Sequence, residues 1–529
     1  MVDASRQPET DPGTDIFDVG RRAAIKLGVG AGLAGIGMAK VPIAAAQEKP
    51  AAAAPAQPVV YGVGYKNDAN RAFGNGPMDT ESRMIVDYAT NFSEANMSAA
   101  AIEATSYALL DSMAALVAGF EAEPVRIGAR LAKTMRSDTT STVLGYGIST
   151  TPEMATFVNG MMLRVADFND VNVGGHFSDM ISGVLAAAEA YHATGAQTLA
   201  AVALAYEIAG SLTGAGAFAR GWDSPFQLVG ASTAAGKLMG LNADQMANAL
   251  SIALVGHMPM TCREGPMSMW KSAHAPETTK CAVFSAILAK GGFTGPAQPF
   301  AYRYGLFHHI GKFTKFRLPL NQGGKLVIEE TSFKRYPAEA STQSVLVMMP
   351  EVIAWTKPDE VESIVIEMAP GWLQEVADPS KWDPRNHETA DHSLPYVIAR
   401  CLLDGEIYLD SFEEEKFMDP AARKLMALTT SKPTSDNRFA NQALSLEGTV
   451  KLTVRKKSGE EWAKETTVGY SRPLSHAEII DKFNRACDYQ KIDKDTCDRA
   501  RDTWLNLRQV KDMGDAIKTL AKFGQPTAL

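Results

Sequence analysis

Residues Ala100–Phe120 read AAIEATSYALLDSMAALVAGF. Apolar side chains recur there at i, i+3 and i+4, the spacing of a buried helix and not of a strand. The same period runs through Asp179–Gly195, DMISGVLAAAEAYHATG, and Thr198–Leu212, TLAAVALAYEIAGSL. Ala and Gly crowd all three stretches, so these helices are expected to approach one another closely. Asn242-Ala-Asp-Gln245 forms an N-cap box ahead of the helical MANALSIALV. A large all-helical domain is therefore expected over residues 81–317.

The pattern changes after about Arg317. In KLVIEETSF (Lys325–Phe333) and VESIVIEM (Val361–Met368), Val and Ile alternate with polar residues, as in strands. Gly448–Tyr470 reads as a hairpin turning at Ser458-Gly459. Asp391–Gly405, DHSLPYVIARCLLDG, is helical. Residues 318–475 thus read as a smaller inserted α+β domain. Residues 476–529 return to amphipathic helix and are expected to fold back on the first domain. The fold class is mainly α, with an α+β insertion.

The chain has 529 residues, with 46% hydrophobic and 21% charged residues, enough for a large core in two or three domains. A net charge of -8 excludes a general nucleic-acid or membrane-surface binder, which needs a basic face. It leaves room for a local basic pocket. The five cysteines, Cys262, Cys281, Cys401, Cys487 and Cys497, are odd in number and lack CxxC spacing. They form neither a disulfide framework nor a zinc pattern.

Gly20–Gln47 resembles a twin-arginine export signal. Arg21-Arg22 precedes a short, glycine-broken apolar run, and Ala44-Ala45-Ala46 supplies an A-x-A cleavage pattern. The run, Leu27–Ala39, is too short for the roughly 20 residues that span a bilayer. Residues 1–46 are expected to be removed, 47–80 to form a linker with an extended arm, and the mature protein to be periplasmic without stable membrane insertion. Gly30-Ala31-Gly32-Leu33-Ala34-Gly35 satisfies G-x-G-x-x-G but follows no strand and leads to no acidic residue, so it is not a nucleotide site.

One polar stretch interrupts the helical region. Asp167–Asp179, DFNDVNVGGHFSD, holds three Asp, one His, two Asn and a Gly-Gly pair. It is either a solvated loop or an acid/base site. Elsewhere, Lys334-Arg335 in FKRYP offers a point charge beside a bidentate fork, a pairing suited to capturing carboxylates. At least one of the two is expected to face a cleft. His392 and Tyr396 lie four apart in DHSLPY and on a helix would share a face.

Five segments resemble the MmgE/PrpD family and stand in the family's order: Phe157–Asp179, Gly221–Leu241, Ser268–Ala275 (SMWKSAHA), Phe333–Ser344 (FKRYPAEASTQS) and Asp391–Gly405. The resemblance covers most of the chain after Glu81. It implies a helical domain with a smaller α+β lid, a homodimer, no metal or organic cofactor, and a site in the cleft between the domains. It also implies a lyase of the 2-methylcitrate dehydratase type, which abstracts a proton next to a carboxylate of a small di- or tricarboxylate. By the same resemblance Asp167 and His176 match acid/base residues, Lys271 a lysine that faces substrate, and Tyr396 a site hydroxyl. His274 and His392 match family histidines, and with Lys334 and Arg335 they make the expected substrate-binding set. Asp167 would act as a base or orient an imidazole, and His176 would be kept neutral by the helix that Ser178-Asp179 caps.

Val171, Phe177 and Ser224 depart from the family pattern, where Thr, Pro and a nearby His are common. The acid/base set is reduced accordingly, and the substrate stays open. An isomerase or epimerase, a decarboxylase and a non-catalytic periplasmic carboxylate-binding protein remain the alternatives.

Overall fold

Ser98 starts the helix that the apolar period demands. Its hydroxyl accepts a 2.9 Å hydrogen bond from the Ala101 amide, and the helix runs Ala99–Ala118. By length and composition it could cross a membrane, yet most of it is buried inside the fold, so it is a core helix. The computed structural model describes residues 78–172, 174–215, 225–263, 265–313, 315–435, 449–466, 474–523 and 529. The export segment, the Gly30 pattern, the linker as far as residue 77, and Ser224 lie outside the described residues.

The described chain begins with α1 (Thr80–Asn91), α2 (Ala99–Ala118) and α3 (Glu123–Ala132), followed by a small hairpin of β1 (Ser141–Val143) and β2 (Ile148–Thr150). Next come α4 (Pro152–Val165), β3 (Asp170–Val171), α5 (Ile181–Ala190), α6 (Gly195–Gly214), α7 (Pro225–Leu238), α8 (Ala243–Gly256) and α9 (Trp270–Lys290). Capping boxes at Thr194/Gln197 and Asn242/Gln245 start α6 and α8. Helices α4 and α9 pack extensively against each other, and α6 packs on α7. Small residues permit the contact: a Cβ on Gly160 of α4 would come within 2.9 Å of Pro276 on α9.

A second core gathers around a four-stranded sheet in the order β6 (Thr429–Pro433), β5 (Val361–Met368), β7 (Val450–Lys456), β8 (Glu461–Thr466). Strand β5 runs parallel to β6 and antiparallel to β7. The β7–β8 hairpin turns through Gly459 at φ +91°, as read from the sequence. Between α9 and the C-terminal helices lie the shorter helices α10 (Leu306–Ile310), α11 (Gln343–Leu346), α12 (Met349–Trp355), α13 (Pro370–Val376), α14 (His387–Ala390), α15 (Leu394–Asp404) and α16 (Pro420–Ala427). Apolar residues from Ala338 to Val454 fill this second core. The C-terminal helices α17 (His476–Tyr489) and α18 (Lys494–Leu505) contribute Ile479, Phe483 and Trp504 to the first core instead. Here α17, started by the Ser475/Glu478 capping box, packs on α2.

The reading of KLVIEETSF as a strand needs correction. Val327–Glu330 is a 3-10 turn, and only Ser332–Phe333 forms a strand, β4. Carboxylates satisfy the backbone that a neighbouring strand would otherwise bond. Glu207 of α6 accepts from the Leu320 and Val327 amides at 2.6 and 2.9 Å, and Glu329 accepts from the Leu326 amide at 2.7 Å. The short β4 pairs antiparallel with β3, Asp170 opposite Phe333 and Val171 opposite Ser332. That pairing sets the polar Asp167 segment beside Lys334.

Candidate active site

Helix α4 ends at Val165, and Asp167 leaves it with φ +47°, a conformation that costs a non-glycine residue on the order of 1–3 kcal/mol. Its contacts hold it there. Arg164 Nη1 lies 2.6 Å from Asp167 Oδ1, and Lys334 Nζ lies 3.0 Å from Oδ2. Lys334 Nζ also donates to the Asp167 carbonyl at 2.9 Å, and Lys271 Nζ stands 3.9 Å from Oδ1. Burial pushes the Asp167 carboxyl up, but Lys271, Lys334 and Arg164 outweigh it and hold the group well below the usual carboxylate range.

Lys271, in the first turn of α9, bridges two carboxylates, since its Nζ also lies 2.5 Å from Asp391 Oδ2. The other oxygen of Asp391 accepts a 2.6 Å hydrogen bond from His392 Nδ1. Burial raises Asp391, yet Lys271 and His392 win and keep it ionised; burial also lowers the His392 ring, which is neutral. Because Nδ1 faces a carboxylate it carries the proton, and Nε2 keeps its lone pair. Asp167, Lys271, Lys334, Asp391 and His392 are all buried. Ligand atoms of Asp167, Asp391 and His392 lie within 4.8 Å of one another, a spacing open to a metal ion. The Lys271 ammonium already takes the cation position between the two carboxylates, so this donor set does not fit a metal while Lys271 is in place.

His176 feels Arg164, Lys334 and Asp167 as well. Its Nδ1 donates to the Asp170 carbonyl, again leaving the lone pair on Nε2, and the ring pKa is lowered by burial first and then by Arg164 and Lys334. The neutral ring expected from the sequence thus has burial and two cations as its causes, and His176 is the N-cap residue of the 3-10 turn Phe177–Met180. Ser178 and Asp179 do not cap the helix that follows. Asp170 accepts from the Ser178 amide at 3.1 Å and from the Tyr206 hydroxyl at 2.8 Å, while Asp179 accepts from Asn169 at 3.3 Å. Of the departures from the family pattern, Val171 pairs with Ser332 in the β3–β4 ladder and Phe177 packs edge-on against Tyr206.

Three expected site residues stand apart from the cluster. Arg335 Nη2 pairs with Glu478 Oε1 of α17 at 2.9 Å, with both side chains about a quarter exposed. Lys334 follows β4 directly and reaches Asp167, whereas Arg335 turns to α17. The Tyr396 hydroxyl donates to the Ser411 carbonyl at 2.7 Å, and its ring packs on Phe412 and Phe417 in the second core. Helix α15 (Leu394–Asp404) starts only at Leu394, with Ser393 as its N-cap. His392 therefore lies outside the helix, and the four-residue spacing to Tyr396 does not place them on one face. His274 Nε2 donates to the Met260 carbonyl at 2.6 Å and so holds the loop ahead of α9.

Two participants were overlooked, though both lie in the quoted segments. Arg164 stands three residues before Asp167 on the last turn of α4, a spacing that lets an Arg reach back to a carboxylate. Asp391 precedes His392 directly.

A helical core and an α+β core that together bury carboxylates, lysines and neutral imidazoles define a protein equipped to hold anions and move protons. Residues 83–319 match the MmgE/PrpD N-terminal domain and residues 336–507 the MmgE/PrpD C-terminal domain. The chain belongs to the MmgE/PrpD family. It is 27% identical to the cis-aconitate decarboxylase of Homo sapiens over 452 residues, 80% of this chain and 91% of that one. It is 28% identical to the 2-methylcitrate dehydratase of Salmonella typhimurium over 478 residues, 82% and 97% of the two chains. The mitochondrial 2-methylcitrate dehydratase of Yarrowia lipolytica is 29% identical over 344 residues, 59% of this chain and 65% of that one.

Proposed function

We propose that the protein is a lyase that removes a proton next to a carboxylate of a small di- or tricarboxylate and eliminates water, as a dehydratase of the 2-methylcitrate type does. One observation carries the reading: a neutral imidazole polarised by a carboxylate, His392 on Asp391, stands beside three cations, Arg164, Lys271 and Lys334, that converge on Asp167. Asp167, held well below the usual carboxylate range, is a poor base. It positions the lysines, and proton abstraction falls to imidazole.

In the proposed reaction, Nε2 of His392 takes the proton from the carbon next to a substrate carboxylate. The cations stabilise the negative charge that develops on that carboxylate. The carbon–oxygen bond at the neighbouring carbon then breaks. The departing hydroxyl takes the proton back from the imidazolium and leaves as water, so one imidazole serves both halves. His176 supplies a second neutral ring at the same charges.

Because these groups are buried, entry requires the α+β core to part from the helical core as a lid. The loop before α9 crosses to the α+β core, where the Met267 amide donates to Thr389 Oγ1 at 3.1 Å and Asn386 to the Met267 carbonyl at 2.7 Å. The reading further places a homodimer in the periplasm, exported through the Arg21-Arg22 signal.

A second reading is an isomerase that returns the abstracted proton to carbon, or a decarboxylase in which carbon dioxide leaves and the carbon takes a proton in its place; it draws support from the second neutral ring, His176, and from the 27% identity to cis-aconitate decarboxylase. Incubating the purified chain with 2-methylcitrate, citrate and cis-aconitate and following the products by NMR tests these readings. An unsaturated acid formed with release of water supports the dehydratase. A saturated epimer or carbon dioxide supports the second reading, and no product from any acid overturns both.

A further inference from the structure

The buried ammonium of Lys482, on α17, spends all three of its protons inside the fold. Nζ lies 2.6 Å from Asp111 Oδ1 of α2, 2.6 Å from the Phe168 carbonyl and 3.0 Å from the Lys334 carbonyl. It also sits 4.0 Å from the centroid of the Phe168 ring. Phe168 follows Asp167, and Lys334 is the residue whose own ammonium binds Asp167.

Two consecutive carbonyls of the positive-φ turn are therefore held by two ammonium groups, Asp167 by Lys334 and Phe168 by Lys482. A buried ion pair is not in itself a stabilising device, since a well-packed apolar pair is often as good or better. What an apolar pair cannot do is donate to two carbonyls at once. We infer that Lys482 is a positioning residue: from the C-terminal helix it clamps the Asp167 turn and the Lys334 strand in register, with Asp111 as its counter-charge. The inference rests on the lyase reading for its effect on turnover, but not for its effect on the turn.

The test replaces the whole pair, Asp111→Leu with Lys482→Met, so that no charge is left buried alone. In the full chain this variant should unfold within a few degrees of wild type, with kcat about 100-fold lower and KM changed far less, as a misplaced catalytic turn would give. Amide hydrogen exchange at residues 167–171 should accelerate about tenfold while α2 stays protected. A stable variant with wild-type kcat and unchanged exchange at 167–171 would overturn the inference.

Asp111→Asn gives a second check: it keeps both carbonyl bonds but leaves the buried ammonium without its counter-charge, so it should be less stable than the double variant. Assayed below its unfolding temperature it should retain kcat within about threefold, and a loss there as large as that of the double variant would overturn the inference. A wild type inert toward every carboxylate would sink the lyase reading and leave the exchange measurement to decide the clamp.

Discussion

His392 Nδ1 donates a 2.6 Å hydrogen bond to Asp391 Oδ1, with both side chains buried. The carboxylate fixes the tautomer and leaves Nε2 as the basic atom. His392→Gln should lower kcat by about 10²–10⁴-fold, the range of a lost general base. Asp391→Asn should cost less, because the imidazole stays but loses its orienting anion. Steady-state kinetics on whichever carboxylic acid the wild type turns over checks both, and near-wild-type kcat in His392→Gln would remove it from the chemistry.

Lys334 and Arg335 separate a buried anchor from a partly exposed pair. Lys334→Met removes one of the cations around Asp167 and should raise KM at least about tenfold, the loss of a charge-assisted hydrogen bond. Arg335→Met breaks only its pair with Glu478 and should change stability by less than about 1 kcal/mol, with little effect on KM. Equal effects of the two substitutions would contradict the assignment.

Tyr396→Phe should leave kcat within a few-fold of wild type while lowering stability by about 1 kcal/mol, the worth of one buried hydrogen bond to Ser411. Denaturant titration beside kinetics checks this. A large loss of kcat at unchanged stability would return Tyr396 to the site.

The imidazoles make a pH prediction with a definite sign. Burial lowers His176 and His392 in the folded protein, so both stay neutral as pH falls through the ordinary imidazole value of 6.5. The acid limb of the rate profile should therefore lie below 6.5. The unfolded chain binds these protons from about pH 6.5 downward, so each ring costs the folded state stability there. The stability advantage of wild type over His176→Gln should shrink as pH falls from about 7 to 5. An advantage that grows over that range would contradict the buried neutral ring.

The helical half of the fold was legible because its signals are local. Period and caps mark α2, α6 and α8 without knowledge of what packs on them. The β3–β4 pairing was not legible, because two two-residue strands from distant parts of the chain carry no period of their own. KLVIEETSF misled because Glu207, far away on α6, supplies the acceptor that a strand would have provided. The shared face expected of His392 and Tyr396 does not form, because Ser393-Leu394-Pro395 is an N-cap followed by a first-turn proline, which starts the helix after His392. Asp111 is the one charged residue deep in the second half of Ala100–Phe120, and its partner Lys482 lies so far along the chain that only the fold reveals the pair.

The central claim is that neutral imidazole, set among converging cations, abstracts a proton next to a substrate carboxylate. Proton–deuterium exchange in deuterated buffer, read by NMR across a panel of di- and tricarboxylates, tests it most directly because it registers abstraction whatever the product. The account expects wild type to exchange that proton in at least one acid and His392→Gln to lose the exchange. Absence of exchange in wild type, or undiminished exchange in His392→Gln, would contradict it.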